Sequence, residues 1–531
     1  MGSDTDLPSG PRFNRRGVLG AAAGLGGAVA LGVPGLAACA TSGPAWQRPD
    51  RSAAPPVAGL HLQFGADAGT EAVVSWHSTS SVGRPRVMLG TPNAGFGQEV
   101  AAATRTYRDS ASGTEVQIHH TRLTGLTPDT DYIYAAVHDG ASPELGTLHT
   151  APRGRVAFTF TSFGDQSTPA LDMVTGVSPG SANGTGSNYG ADNYGSPAAG
   201  DLTAAVERIA PLFHLVNGDL CYANLSHDRV RTWSNWFANN GRSTRHRPWM
   251  PAAGNHENEL GNGPIGYRAY QAYFALPDAG AEPTFAGLWY AFTAGAVRVI
   301  SLNNDDIALQ DGGSSYVSGY SGGAQRRWLE NELRTSRANP DVDWIVVCMH
   351  QVVISTADQF NGADLGVREQ WVPLFDQYGV DLVVCGHEHH YERSHPIRGQ
   401  QPTDTRTPIP TQTSTDVLDT SKGTVHMVIG GGGTSIPSNK LLFAPAKCRV
   451  ITAVGAPDPA TGKRKANYVL EDAPWSAVRD AEHAYGFAAF DVDPGGTGPT
   501  TAIHVTYYAV TGPYGELTPV DRFTLTRPRR S

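Results

Sequence analysis

At 531 residues the chain is long enough for more than one domain and a large core. Its formal charge of −9 excludes a broad phosphate-tracking nucleic-acid surface. Five cysteines over this length exclude a disulfide framework, and beyond the N-terminal region no segment has the apolar length of a membrane span.

In chain order, the N-terminal stretch reads as a targeting segment. Asn14-Arg15-Arg16-Gly17-Val18-Leu19 looks like a twin-arginine export signal. The Gly/Ala-rich run behind it ends in Leu36-Ala37-Ala38-Cys39, which resembles a lipobox with Cys39 as the lipidated residue. Residues 1–39 are therefore assigned to the signal, and 40–56, rich in Pro, Ser and Ala, to a linker. The expected location is outside the cytoplasm, extracellular or at the cell envelope, with membrane contact only through the lipid anchor.

Residues 57–151 read as all β. Ala72-Val73-Val74-Ser75-Trp76 and Arg86-Val87-Met88-Leu89 are short strands, and Glu115 to His119 alternates. Leu123 to Tyr134 resembles the turn and tyrosine corner of a fibronectin type III sandwich. No cluster of ionisable groups with ligand spacing occurs there, so this domain reads as a support or interaction module.

From residue 152 to 527 strands alternate with helices, the pattern of sheets covered on their outer faces. Strands are expected at Val156–Phe163, Leu212–Val216, Trp249–Ala253, Val297–Leu302, Trp344–Met349, Val380–Val384 and Val425–Ile429. Helices are expected at Asp201–Leu212 with Asp201 as N-cap, at Arg229–Asn239, Gly323–Ala338 and Arg368–Tyr378. Ala484–Asp491, Ile503–Val510 and Asp521–Thr526 complete the domain as strands. Gln166–Gly200, without periodicity, reads as a long loop placed to cover a site, and 396–422 as another loop. Gly430 to Gly433 lacks the Lys-Ser/Thr of a phosphate loop and reads as a turn.

Five of these strands end in side chains that can bind metal or carry a proton: Asp165; Asp219 and Tyr222; Asn255 and His256; His350; His387 and His389. Each ending alone has an ordinary explanation as a turn or cap. Five in one domain do not, because an open α/β sheet gathers its strand exits along one edge. Carboxylate, amide, imidazole and phenol form an O/N set suited to iron, manganese or zinc. Seven ligands exceed one tetrahedral zinc and fit two ions sharing a carboxylate, with Asp219 the natural bridge. A phenol, with a reference pKa of about 10, favours a hard trivalent ion. Cys221, Cys348 and Cys385 lie beside these ligands, but no Cys-x-x-Cys occurs and they read as small buried hydrophobes.

Gly164-Asp165, Gly218-Asp219-Leu220-Cys221-Tyr222, Gly254-Asn255-His256-Glu257, Met349-His350 and Gly386-His387-Glu388-His389-His390-Tyr391-Glu392-Arg393 resemble the ordered blocks of the purple acid phosphatases, within the calcineurin-like metallophosphoesterases. The resemblance implies an α/β fold: a metallophosphoesterase sandwich of two mixed β-sheets flanked by helices, preceded by the fibronectin type III-like sandwich of the plant-type members. It implies iron(III) on Asp165, Tyr222 and His389. A divalent zinc, manganese or iron(II) falls on Asn255, His350 and His387, with Asp219 bridging and His256 protonating the leaving group. The implied reaction is release of phosphate from small phosphoesters by in-line attack of a metal-bound hydroxide. Two departures stand out. Gln166-Ser167 replaces the usual glycine two residues after the aspartate. Asp358 to Asp364 lacks the histidine pair of plant-type members, which leaves Asn361, Arg368 or His390 to contact substrate. The alternatives are a phosphodiesterase acting on nucleotides or lipid head groups, and a surface binding protein with a degenerate hydrolase domain.

Overall fold

The computed structural model describes residues 54–168 and 195–529. The export signal, Cys39, most of the linker and residues 169–194 of the expected covering loop lie outside the described residues.

The first domain is a sandwich of two four-stranded antiparallel sheets. One contains Ala58–Phe64, Ala72–Ser78, Glu115–Leu123 and Ala103–Arg108, and the other Gly95–Ala101, Arg86–Thr91, Asp131–Val137 and Glu144–His149. The alternation read from the sequence buries Trp76, Val116 and Ile118 between the sheets. The corner is built as expected: the Thr127 amide donates to the Tyr132 hydroxyl at 2.9 Å.

The second domain holds two seven-stranded mixed sheets. In the first, Phe158–Phe163, Phe213–Asn217 and Trp249–Ala252 run parallel, and the C-terminal strands Gly486–Asp493, Thr500–Val510 and Leu517–Pro528 continue it antiparallel. In the second, Val297–Ser301, Trp344–Cys348, Leu382–Cys385 and Val425–Ile429 run parallel. Trp344–Cys348 and Leu382–Cys385 are wholly buried, which explains their unbroken apolar character. Helix Ala324–Ala338 packs on the second sheet, and Ala198–Ile209 on the first. Helix Arg229–Thr244 packs between Ala198–Ile209 and strand Ala58–Phe64 of the first domain. The sheets meet at Asn217. Its amide oxygen accepts from Ser162 Oγ at 2.8 Å on its own sheet and from Cys348 Sγ at 3.2 Å across the interface.

Several expectations are corrected. The helix expected from Asp201 starts three residues earlier, after Pro197, so Asp201 lies in its first turn and caps nothing. Proline fixes the entry there. Arg229–Thr244 runs a turn longer than expected, with Asp228 as the cap through a 3.0 Å bond from the Arg231 amide. Arg368–Tyr378 is two short helices, Leu365–Gln370 and Val372–Tyr378, divided at Trp371 ahead of Pro373. The 396–422 loop contains short strands Ile397–Gln400, Pro408–Pro410 and Val417–Asp419. A long hairpin, Lys447–Pro457 with Arg464–Asp472, carries no clear signal in the sequence. Its outward-facing strands have charged residues on both edges and no clean two-residue alternation.

Candidate metal centre

Every residue singled out at a strand exit lies beyond the carboxyl end of a parallel strand. The parallel registers align these exits, pairing Phe163 with Val216, Asn217 with Ala252 and Cys348 with Val384. The loops are strapped to each other by backbone bonds. The amides of Asp165, Gln166 and Ser167 donate to the carbonyls of Gly218, Asp219 and Leu220 at 3.0, 3.1 and 2.9 Å. Ser167 takes a left-handed φ of 61°, so the turn survives without the glycine. Asp165, Asp219, Tyr222 and His387 also have φ between 52° and 69°. Four non-glycine ligand positions in that sparsely populated region mark a backbone held for function.

The side chains form two groups. In the first, His389 Nε2 lies 3.2 Å from Asp165 Oδ1 and 3.3 Å from the Tyr222 hydroxyl. In the second, His350 Nε2 lies 3.0 Å from Asp219 Oδ2, 3.0 Å from Asn255 Oδ1 and 3.1 Å from His387 Nδ1. Asp219, His350 and His387 together make a cluster able to hold a cation. Both groups are buried. Gly386 permits the approach, since a Cβ there would stand 2.3 Å from Asp165 Oδ2.

Tautomers are set from outside the centre. His350 Nδ1 faces the Asn217 carbonyl at 2.8 Å and His389 Nδ1 the Ile436 carbonyl at 2.7 Å. Each of these nitrogens must donate, which leaves each Nε2 with a lone pair pointing inward. His350 Nε2 then confronts a carboxylate oxygen, an amide oxygen and a second imidazole nitrogen. Acceptors converging on one buried point require a cation between them. The residues present therefore fit a metal site.

The electrostatics call for positive charge at this point, which a proton on His350 Nε2 would supply in the absence of a metal ion. Burial disfavours ionised Asp219, but His350 and His256 outweigh it and hold its carboxyl below the usual range. Burial likewise opposes the His350 imidazolium, yet Asp219 and Asp165 push its pKa up to about 10. Burial and the neighbouring His350 hold His387 well below 6.5, as a neutral imidazole. Burial, then Asp165 and Asp219, raise the Tyr222 phenol well above 10, so only a strongly charged ion can draw off its proton.

His256 stands apart from both groups of candidate ligands. Its Nδ1 lies 2.8 Å from Asn224 Oδ1, its amide donates to Asp219 Oδ1 at 2.8 Å, and its ring is tilted 41° against Tyr222 with centroids 4.3 Å apart. Its side chain is 14 % exposed and that of His389 10 %, so the centre opens to solvent between them. Burial lowers the His256 pKa against the pull of Asp219.

The three residues expected at substrate are not brought to it. Arg368 is buried and pairs with Glu471 at 2.8 Å, also donating to the Val353 and Thr405 carbonyls. His390 turns away to Ser438 and Glu392. Asn361 reaches the centre only from behind, donating to the His387 carbonyl at 2.6 Å. Sequence reasoning missed Gln310, whose side-chain oxygen meets His387 Nε2 and whose amide donates to Asn361 at 2.7 Å. It missed the work of Glu257, which accepts from the amides of Asp219, Leu220 and Gly254 at 2.9, 2.9 and 2.8 Å. Gly430–Gly433 is a turn, but also the floor of the centre. A Cβ at Gly430 would fall 2.2 Å from the Glu388 carbonyl and 2.9 Å from Asp165 Oδ2.

Residues 57–151 match the model of the N-terminal domain of purple acid phosphatases, and residues 192–391 that of the calcineurin-like phosphoesterases. The chain belongs to the purple acid phosphatases. It is a phosphoric-ester hydrolase of the calcineurin-like superfamily. An uncharacterized protein of Mycobacterium tuberculosis is 63 % identical over the full length of both chains. The Fe(3+)-Zn(2+) purple acid phosphatase 12 of Arabidopsis thaliana is 27 % identical over 63 % of this chain and 64 % of its own. The structure of a purple acid phosphatase from yellow lupin (Lupinus luteus) seeds aligns at TM-score 0.65 and 20 % identity, covering 90 % of this chain and 75 % of that one. The likeness to lupin concerns the fold.

Proposed function

We propose that this phosphatase hydrolyses its esters at a binuclear centre, with iron(III) on Asp165, Tyr222 and His389. A divalent zinc, manganese or iron(II) sits on Asn255, His350 and His387, and Asp219 is shared. The observation that carries the reading is the convergence of Asp219, Asn255 and His387 acceptors on His350 Nε2, beside a second set built on His389. The phenol in that second set favours the trivalent ion. When bound, such a pair would supply a water with its pKa lowered to around 7 and positive charge for the phosphoryl oxygens.

The chain's own contribution is positional. Asn217 and Ile436 hold the inward lone pairs of His350 and His389, and Glu257 fixes the backbone of both the Asp219 and Asn255 loops. His256 keeps Nδ1 on Asn224 with Nε2 4.0 Å from Asp219 Oδ2, and in its imidazolium form it would hand the Nε2 proton to the departing ester oxygen. Residues 14–39 support action outside the cytoplasm on small phosphoesters.

Metal analysis with a visible spectrum tests this, run beside hydrolysis of a phosphomonoester and a phosphodiester. The expected result is two metals per chain, one of them iron, with an intense visible band that Tyr222→Phe abolishes. Colourless protein fully active with two divalent ions overturns the iron(III) assignment.

A further inference from the structure

On its His389 flank the centre carries partly exposed apolar side chains, with Gln359 and Lys440 exposed in the same stretches of chain. The Phe360 ring stands edge-on to His389, centroids 4.9 Å apart, and remains partly exposed. Ile436, whose carbonyl orients His389, leaves its own side chain 45 % exposed. Leu441, 40 % exposed, accepts from the Asp358 amide at 2.6 Å and so belongs to the same flank. The segment from Gln351 to Asp364 contains no Lys, Arg or His. Of the two polar residues flanking Phe360, Asn361 is turned inward onto His387 and Gln359 is exposed.

The ring is held in place. Gln359 takes a φ of 57° and Gly362 one of 88°, and a Cβ on Gly362 would meet the Arg449 carbonyl at 2.7 Å. Asn361 ties the next residue to the His387 carbonyl, and the Gly362 amide donates to Glu388. Phe360 is thus fixed to the ligand-bearing strand exit on its C-terminal side and shaped by a left-handed residue on its N-terminal side. An apolar ring anchored so firmly yet left partly in water has an unfilled face.

Resting on the hydrolase reading above, we infer that Phe360 is a specificity-determining residue that receives an aryl or alkyl group of the substrate. The preferred esters therefore carry an apolar organic group next to phosphorus, in contrast to small hydrophilic phosphates such as phosphoserine.

Competitive inhibition by non-hydrolysable phosphonates tests this without a change of leaving group. With the metal-loaded enzyme, phenylphosphonate should bind about tenfold tighter than methylphosphonate, as expected for partial burial of one ring. Phe360→Ala should bring that ratio close to one, chiefly by weakening phenylphosphonate. Equal constants in the unmodified enzyme, or a ratio that persists in Phe360→Ala, overturns the inference and leaves the hydrolase reading standing. Failure of both phosphonates to inhibit overturns the hydrolase reading and this inference with it.

Discussion

Two sets of buried histidines divide the molecule. In the N-terminal domain His61 meets the carbonyls of Gly59 and Tyr273 at 2.6 and 2.9 Å, and His120 meets Ser75 Oγ and the Ala272 carbonyl at 2.8 and 2.9 Å. His119 sits between the hydroxyls of Ser78 and Thr104, both at 2.9 Å. In the catalytic domain His350 and His389 place one nitrogen on a carbonyl and aim the other at carboxylate and other ligand atoms. All five are similarly hidden from water. Burial therefore does not mark a candidate ligand; the convergence of carboxylate, amide, phenol and imidazole atoms on one ring nitrogen does. Tyr273 and Ala272 belong to the catalytic domain, so the first set also fastens the two domains together.

The comparison breaks most sharply at Asp219. Asp219→Asn removes the charge that answers His350 and the oxygen proposed to be shared. Hydrolysis should fall on the order of 10³-fold or more, with metal content below two per chain. Two retained metals with near-normal turnover would remove Asp219 from that role.

Next in size is His256, which has a partner for Nδ1 but none of the converging ligand geometry. His256→Ala should keep both metals while turnover falls roughly 10²–10⁴-fold for an alkyl ester. A nitrophenyl ester, whose leaving group needs no proton, should suffer less. Metal loss in this variant would show that His256 belongs among the ligands.

These two residues are legible in the sequence, because Gly-Asp and Gly-Asn-His each close an apolar run long enough to be a strand. Periodicity gives the strand and the strand gives the edge, so convergence follows from topology alone. Gln310 cannot be found that way. It lies in a loop with no periodic signal and reaches His387 only through tertiary folding. Arg368 and His390 mislead for the opposite reason: charge near a motif suggests substrate, while Glu471, Ser438 and Glu392 from other parts of the fold already hold them. Four consecutive glycines at 430–433 signal a turn in the sequence, but only the packed backbones of Glu388 and Gly164 explain them.

The first set of histidines makes a third prediction, on stability. Burial lowers His61 and His119 to about 4, and His77 and His120 to about 3, against 6.5 for a free imidazole. Below pH 6.5 the unfolded chain takes up protons that the folded chain refuses. Stability should therefore be full above that pH and fall as pH drops toward 4. For His61 the loss is roughly 2 kcal/mol by pH 5. Calorimetry from pH 7.5 to 5 should show the melting temperature falling by several degrees. A flat or rising profile would mean that these imidazoles are already charged in the fold.

The smallest effect tests whether the supporting domain has any share in the chemistry. Tyr107, on a strand of the N-terminal sandwich, donates its hydroxyl to Glu259 Oε2 at 2.5 Å. Trp233 Nε1 donates to the other oxygen at 3.1 Å, and burial pushes the Glu259 carboxyl up to about 7. Glu259 follows His256 by three residues, so this bond fastens the sandwich to the loop that carries His256, the proposed proton donor. Tyr107→Phe keeps the ring and deletes one of two side-chain donors to a buried carboxyl, at a cost of about 1–3 kcal/mol. The melting temperature should drop by a few degrees and kcat by less than tenfold, with metal content unchanged. The informative readout is the ratio of alkyl to nitrophenyl ester turnover. If the sandwich steadies His256, the alkyl ester should lose more than the nitrophenyl ester. Equal losses for both would confine Tyr107 to stability.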